Sequence, residues 1–172
     1  MPLDYHIRLA CPSDLPLLPE IERHAASRFS DFDLADTLAA ILTPPTALRE
    51  GLASQRLWVA QRADGNVIGF ALADVVGGQA HLDELDVLPE YGRRGIGSAL
   101  VETVCHWARR SGFSTITLTT LRHVPWNAPF YERLGFSIVP DERLTHALKE
   151  LLQAETDSGL PSQHRVAMQR DL

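Results

Sequence analysis

Asp83, Glu84 and Asp86 crowd the stretch HLDELDVLPEY, and Gly92, Gly95 and Gly97 follow at once in GRRGIGSALVETVCHWARRSG. If the first stretch is extended, alternation puts Glu84 and Asp86 on one face and Asp83 on the other, unless a bulge resets the register. Carboxylates grouped in this way can accept a proton from an amine, attract a cation, or do no more than keep a strand soluble. The glycines fall at the corner between that strand and a helix. Missing Cβ atoms let a ligand approach the backbone there, and the first N–H groups of a helix have no intrahelical partner. The helix dipole adds to them, and Arg93 and Arg94 stand beside them, so the corner is an anion site suited to a pyrophosphate. Turn chemistry alone is the plainer explanation of the same glycines.

Two familiar phosphate motifs do not match. A P-loop needs Lys and Ser/Thr directly after its last glycine, whereas Gly97 is followed by Ser98 and Ala99. A dinucleotide fingerprint is spaced GxGxxG with an acidic residue at the end of the next strand, but here the spacing is GxxGxG and 113–122 holds no Asp or Glu. That leaves a phosphate-bearing ligand other than a nicotinamide dinucleotide. Cys105 and His106 are helix neighbours that do not face each other, so they make no nucleophile–base pair, and Cys105 reads as core. The seven histidines include no HExxH and no ligand pair on one helical face, so no metal is expected. His81, at the head of the acidic strand, reads as structural rather than as a base. Trp58 and Trp107 read as core, and Trp126 as either a wall of a substrate site or loop packing.

The elements that must hold these groups can be followed along the chain. His6–Ala10 alternates as a first strand, and Ser13 or Asp14 caps a helix to about Arg28 with Leu15, Leu18, Ile21 and Ala25 on one face. Leu34–Leu42 makes a second short helix, stopped by Pro44 and Pro45. Leu57–Gln61 and Val67–Val76 are strands joined by the turn ADGN, and Gly77–Gly78 leads into the strand His81–Leu88. Leu100, Val104, Trp107 and Ala108 repeat at helical spacing up to Gly112, and the β-branched TITLTT of Thr115–Thr120 is a buried strand. A short helix at Ala128–Leu134, a strand at Phe136–Val139, an amphipathic helix marked by Leu144, Leu148, Leu151 and Leu152, and a strand at Arg165–Arg170 after a Ser/Gly/Pro loop complete the series. The sum is an α/β (α+β) chain, one domain over 1–172, with a mixed central sheet of about seven strands flanked by helices.

Composition agrees. The 172 residues are 45% hydrophobic and 22% charged, close to globular averages, which excludes disordered and fibrous classes. Sixteen basic against 22 acidic residues give a net charge of −6, which argues against broad nucleic-acid binding. Two cysteines make neither a disulfide framework nor a metal spacing. The N-terminus MPLDYHIRLA does not read as a secretory signal, and no apolar run reaches the ~18 residues of a membrane span, so the expectation is a cytoplasmic protein.

HLDELDVLPEYGRRGIGSALVETV followed by NAPFYERLGF resembles the cofactor-binding core of the GNAT family of N-acetyltransferases, most strongly over 82–139. The resemblance implies a sheet splayed between its fourth and fifth strands, with acetyl-CoA as co-substrate. It implies that the backbone of Leu85, Asp86 and Val87 pairs with the pantetheine amides. It implies too that Arg94, Gly95, Ile96, Gly97, Ser98 and Ala99 line the pyrophosphate, and that Tyr131 stands beside the cofactor sulfur. The family usually carries Gln or Arg three residues before the first loop glycine; that place is Gly92, and Arg93 is the residue this reading puts in the role. The family asparagine falls at Val124, so Asn127 is either its substitute at the cofactor or a plain helix N-cap.

Acyl transfer to an amine needs a neutral amine, a donor for the acyl oxygen and a proton for the departing thiolate. Within the resemblance, Glu84 is the base, directly or through water, with Asp83 as runner-up and Tyr131 as the acid. An N–H near Val87 serves the oxygen. LDEL is similar to the acidic pair of polyamine acetyltransferases, which implies a small cationic amine as partner. The alternatives are a peptide N-terminus or protein lysine, and a non-catalytic acyl-CoA-binding module. The 144–152 helix is a pocket lid, a homodimer contact, or simply packed on its own sheet, which accounts for its apolar stripe equally well.

Overall fold

In the computed structural model, residues 4–160 and 165–172 are described; expectations touching 1–3, at the start of the chain, and 161–164, in the Ser/Gly/Pro loop, lie outside them. Seven strands form one mixed sheet: β1 (Tyr5–Leu9), β2 (Leu57–Arg62), β3 (Val67–Val76), β4 (Gln79–Val87), β5 (Thr115–Leu121), β6 (Ser137–Ile138) and β7 (Arg165–Asp171). Their order is β1-β2-β3-β4-β5-β7-β6. β4 and β5 run parallel, and their register covers only Ala80–Leu82 against Ile116–Leu118, the short ladder that a splayed strand pair requires. The other registered pairs, β1–β2, β2–β3, β5–β7 and β6–β7, are antiparallel.

The chain forms two compact units, 4–73 with 84–104, and 74–83 with 105–172, so that β3, β4 and the long fourth helix contribute to both. In the first unit Leu18, Ile21, Leu48, Leu57, Val59, Phe70 and Leu72 make the core. Gly69 of β3 allows its strand to lie close to β4: a Cβ there would come 2.7 Å from the Asp86 carbonyl oxygen. In the second unit Ile116, Leu118, Phe136, Leu148, Val166, Ala167 and Met168 are buried. The uncharged β5, flanked by β4 and β7, fits its run of Thr, Ile and Leu.

Several helices differ from their sequence reading. The expected helix from Ser13 or Asp14 to Arg28 is instead a 3-10 segment over Pro12–Leu17, α1 over Leu18–Ala26, and a second 3-10 segment over Ser27–Phe32. Pro16 cannot donate an α-helical hydrogen bond, which favours the tighter turn ahead of α1. Neither Ser13 nor Asp14 is the cap. Cys11 holds that position, and its N–H donates to Asp14 Oδ2 at 2.8 Å. Asp14 is buried and takes a bidentate pair of bonds from Arg8, at 2.7 and 3.0 Å. α2 covers only Ala35–Ala40, and the prolines read as a stop also start something: Pro45 opens α3 (Pro45–Ala53), where its fixed φ and missing N–H cost nothing.

α4 (Ile96–Arg110) buries Ile96, Leu100, Val101, Val104, Cys105 and Ala108 along one stripe, and Arg109 and Arg110 complement its C-terminal dipole. α5 spans Ala128–Arg133 and α6 His146–Asp157. Leu144 lies before α6 rather than on it. Glu155 of α6 binds Arg165 of β7 at 2.9 Å, and Leu148 is buried, so part of the apolar stripe is covered within its own unit. Among the described residues no helix is long and apolar enough to cross a membrane.

Candidate active site

The alternation expected of β4 is realised. Glu84 and Asp86 face α1 and the turn before α3, where Glu22 joins them: oxygens of the three carboxylates lie within 4.8 Å of one another. Thr43 organises the group, its N–H donating to Glu22 Oε1 at 2.8 Å and its hydroxyl lying 3.1 Å from the same oxygen and 3.4 Å from Glu84 Oε2. The Leu85 N–H donates to Glu84 Oε1 at 3.1 Å. Three carboxylates this close cannot all be charged without penalty. Burial, then the charges of Glu84 and Glu22, hold the Asp86 carboxyl well above the usual range. Asp86 Oδ2 is buried with no hydrogen-bond partner. Such a cluster can pass a proton or receive an ammonium group; its oxygens are also the donor type that a hard divalent cation takes.

Asp83 stands apart on the other face, in the second unit and partly exposed. Partial burial, then Asp74 and Glu155, push its carboxyl up to about 6. His81 is fully enclosed; its Nδ1 lies 2.8 Å from the Thr117 hydroxyl on the neighbouring β5, and burial lowers it to about 4. A neutral buried imidazole tied to the strand ladder is structural, as its sequence context suggested.

At the glycine corner, Gly95 takes φ +81 and nothing lies within 4 Å of where its Cβ would be. The Ala99 N–H bonds to the Gly95 carbonyl at 2.9 Å, so the N–H groups of Ile96, Gly97 and Ser98 lie ahead of the first helical bond. Arg93, Arg94 and Gly95 are exposed, and Arg94 is held over the Tyr91 ring at 5.8 Å. The turn therefore keeps donors and positive charge in an open place, as an anion requires.

Asn127 sits at the N-cap position of α5, but its side chain makes no capping bond; Oδ1 is buried and unpartnered. The plain N-cap reading fails there, and the orphaned oxygen is suited to an amide N–H from a ligand. Tyr131 is buried, edge-on to Phe130 at 5.0 Å and to Phe136 at 5.8 Å.

Glu22 and Thr43 were not picked out by the motifs. Glu22 had a legible signal: on α1 the stripe Leu18, Ile21, Ala25 leaves 22 as an apolar position, and a glutamate occupies it. Arg28, whose Cζ lies 3.9 Å from where a Cβ of Gly92 would be, had none, because only the folded chain brings 28 to 92.

The sequence model of the acetyltransferase (GNAT) family matches residues 20–136. The "[Ribosomal protein bS18]-alanine N-acetyltransferase" of Escherichia coli (strain K12) is 32% identical over 74 residues, 43% of this chain and 50% of that protein. The chain thus matches half the length of that curated relative. Among solved structures, the PaiA N-acetyltransferase of Thermoplasma acidophilum in complex with coenzyme A superimposes with TM-score 0.73 at 17% identity, over 99% of this chain and 100% of that one. The ribosomal-protein-S18-alanine N-acetyltransferase of Escherichia coli gives 0.67 at 22% identity, over 97% of this chain and 93% of that one. These structures share the fold. With the family model covering more than half of the chain, from α1 through the acidic strand and glycine turn to Phe136, the chain belongs to the acetyltransferase (GNAT) family.

Proposed function

We propose that this chain transfers the acetyl group of acetyl-CoA to a primary amine of a small cationic acceptor. The observation that carries the reading is the cluster of Glu22, Glu84 and Asp86, three carboxylates gathered around Thr43. An alkylammonium offers three donors and a positive charge, the complement of such a group. Its pKa is ~10, so it must lose a proton before it can attack. Glu84 takes that proton, directly or through a water. Asp86, whose burial and acidic neighbours favour its protonated form, relieves the repulsion that would otherwise oppose the grouping. Asp83 is the runner-up base; its place on the opposite face of β4 counts against it.

Acetyl-CoA supplies the acyl group as a thioester. The residues here are suited to hold it: the backbone of Leu85, Asp86 and Val87 for the pantetheine amides, and Asn127 Oδ1 for an amide N–H. Arg93, Arg94, Gly95, Ile96, Gly97, Ser98 and Ala99 are assigned to the diphosphate. An N–H near Val87 donates to the acyl oxygen, and the Tyr131 phenol donates to the departing sulfur.

A second reading, acetylation of a peptide N-terminus, is supported by the alanine N-acetyltransferase relative. Acetyl-CoA-dependent thiol release against diamines, amino acids, aminoglycosides and alanine-initiated peptides separates the two. The expected result is turnover of diamines that falls ~100-fold or more in Glu84→Gln and little in Asp83→Asn, with Tyr131→Phe reducing turnover as well. Selective turnover of peptides would replace the first reading with the second. Firm binding of acetyl-CoA without turnover of any amine would refute both and leave an acyl-CoA-binding module.

A further inference from the structure

A third guanidinium lies against the glycine corner, and it comes from a distant part of the chain. Arg28 belongs to the 3-10 segment after α1 and is half-buried. Its Cζ and Nη1 lie 3.9 and 4.0 Å from where a Cβ at Gly92 would be. Gly92 is extended, with φ −61 and ψ 155, a conformation open to any residue, so no backbone requirement explains the glycine. What a side chain at 92 would meet is the Arg28 guanidinium and the Pro89 carbonyl oxygen, the latter at 3.2 Å. This is also the place where the resemblance leads one to expect Gln or Arg, and where the chain has neither.

Arg93 beside it adopts φ +60, left-handed backbone that an arginine seldom takes and that costs about 1–2 kcal/mol. Its charge opposes that of Arg28, whose guanidinium burial and then Arg93 make less basic than usual. The fold thus draws like charges from two separate segments to the N-terminus of a fifteen-residue helix. Arg94, anchored on Tyr91, adds a third. Charge collected at this cost, beside the unbonded N–H groups of 96–98, is the arrangement that suits a polyanion.

We infer that Arg28 is a binding residue for the diphosphate of acetyl-CoA, its guanidinium standing in the space that Gly92 leaves free. The inference rests on the cofactor reading proposed above and adds to it a residue outside the glycine motif. Because Arg28 follows directly on the helix that bears Glu22, the segment that serves the acceptor also serves the cofactor.

The test is calorimetric titration of the full chain with CoA, with dephospho-CoA, which keeps the diphosphate but lacks the 3′-phosphate, and with acetyl-pantetheine, which lacks both. Arg28→Gln retains most of the stem and its packing. It should weaken CoA and dephospho-CoA alike by about tenfold, the effect of one charge-assisted contact, and leave acetyl-pantetheine unchanged. Arg28→Ala combined with Gly92→Arg returns a guanidinium to the same space from the turn itself and should recover most of the lost affinity. Equal weakening of all three ligands would mean that Arg28 only supports the fold. Weakening of CoA alone would assign it to the 3′-phosphate, and unchanged affinity for all three would remove it from the site. Any of these overturns the inference while the cofactor reading stands. A folded parent chain that bound neither CoA nor dephospho-CoA would overturn both.

Discussion

Adding one methyl group at Gly69 tests whether the close approach of β3 and β4 serves the chemistry. A Cβ there would stand 2.7 Å from the Asp86 carbonyl oxygen, 3.2 Å from Val87 Cγ2 and 3.3 Å from Val87 Cα. Ordinary contact begins at 3.4 Å, so the oxygen must retreat by about 0.7 Å. No rotamer change can provide this, because the nearest atom is backbone. β3 cannot simply back away either: Gly69 is paired with Ala60 of β2, and the Leu88 N–H bonds to the Ile68 carbonyl at 2.9 Å. Overpacking of this kind costs about 1–3 kcal/mol. For a chain of this length that is a fall in Tm of about 2–12 °C. The atoms displaced belong to Asp86 and Val87, in the backbone assigned to the pantetheine and two and three residues after Glu84, and misplacement by about 1 Å can cost ~100-fold in rate. Gly69→Ala should therefore lower kcat/KM for acetyl-CoA by about tenfold to hundredfold. Thermal unfolding and thiol-release kinetics on the same preparation read both effects. A Tm within a degree of the parent would refute the contact. A lowered Tm with kcat/KM intact would refute the role given to Leu85–Val87.

Further outcomes follow from the charged groups. Glu22→Gln should raise KM for a diamine about tenfold and leave the Kd for CoA unchanged, since that carboxylate is assigned to the acceptor and not to the cofactor. His81, lowered by burial from 6.5 to about 4, stabilises the fold fully above about pH 6.5 and loses that contribution as pH falls toward 4. The loss is about 3 kcal/mol, and His81→Gln should flatten it in denaturant titrations across that window. Asp86 works in the opposite sense: its raised carboxyl stabilises most below ~3.9 and less as pH rises through its folded value, so Asp86→Asn should remove that part of the decline in Tm with rising pH. Arg8→Ala should cost about 1–3 kcal/mol in chemical unfolding by stranding the buried Asp14 carboxylate, and Asp14→Asn on top of it should recover part of the loss.

The strands were legible because their signals are local. ADGN between two largely apolar runs is a strong hairpin signal, and Gly65 takes the positive φ of +92 that the turn needs. TITLTT reads as a buried strand from its own residues. The chain up to α3 was harder, because prolines carry opposite meanings at the two ends of a helix. Pro16 favoured a 3-10 turn where capping residues had suggested an α-helix, and Pro45 started α3 where it had looked like a stop. Asp14 misled for a related reason. Its type suits an N-cap, but it stands three residues further in, where its carboxylate accepts from the N–H of the actual cap, Cys11, in a capping box and is held as well by Arg8 from the preceding strand.

The same division runs through the site. Most of the groups assigned to the cofactor fall between Leu85 and Ala99, because a strand end and the helix after it can present backbone to one ligand; such a segment can be read as a motif, whereas Arg28, Asn127 and Tyr131 lie outside it. The groups assigned to the acceptor cannot be contiguous, since a strand presents only alternate side chains to one face, and Glu84 and Asp86 fill that quota on β4. The third carboxylate and the hydroxyl that organises the cluster must then come from another element, and they do, as Glu22 on α1 and Thr43 before α3. Glu22 could have been found by asking why a helix stripe of Leu18, Ile21 and Ala25 should carry a charge in its fourth place. A charged residue at a buried helical position is costly unless something faces it. Thr43 faces it with two hydrogen bonds, yet two carboxylates face it as well, and the repulsion among the three is what the cation of the proposed acceptor would offset.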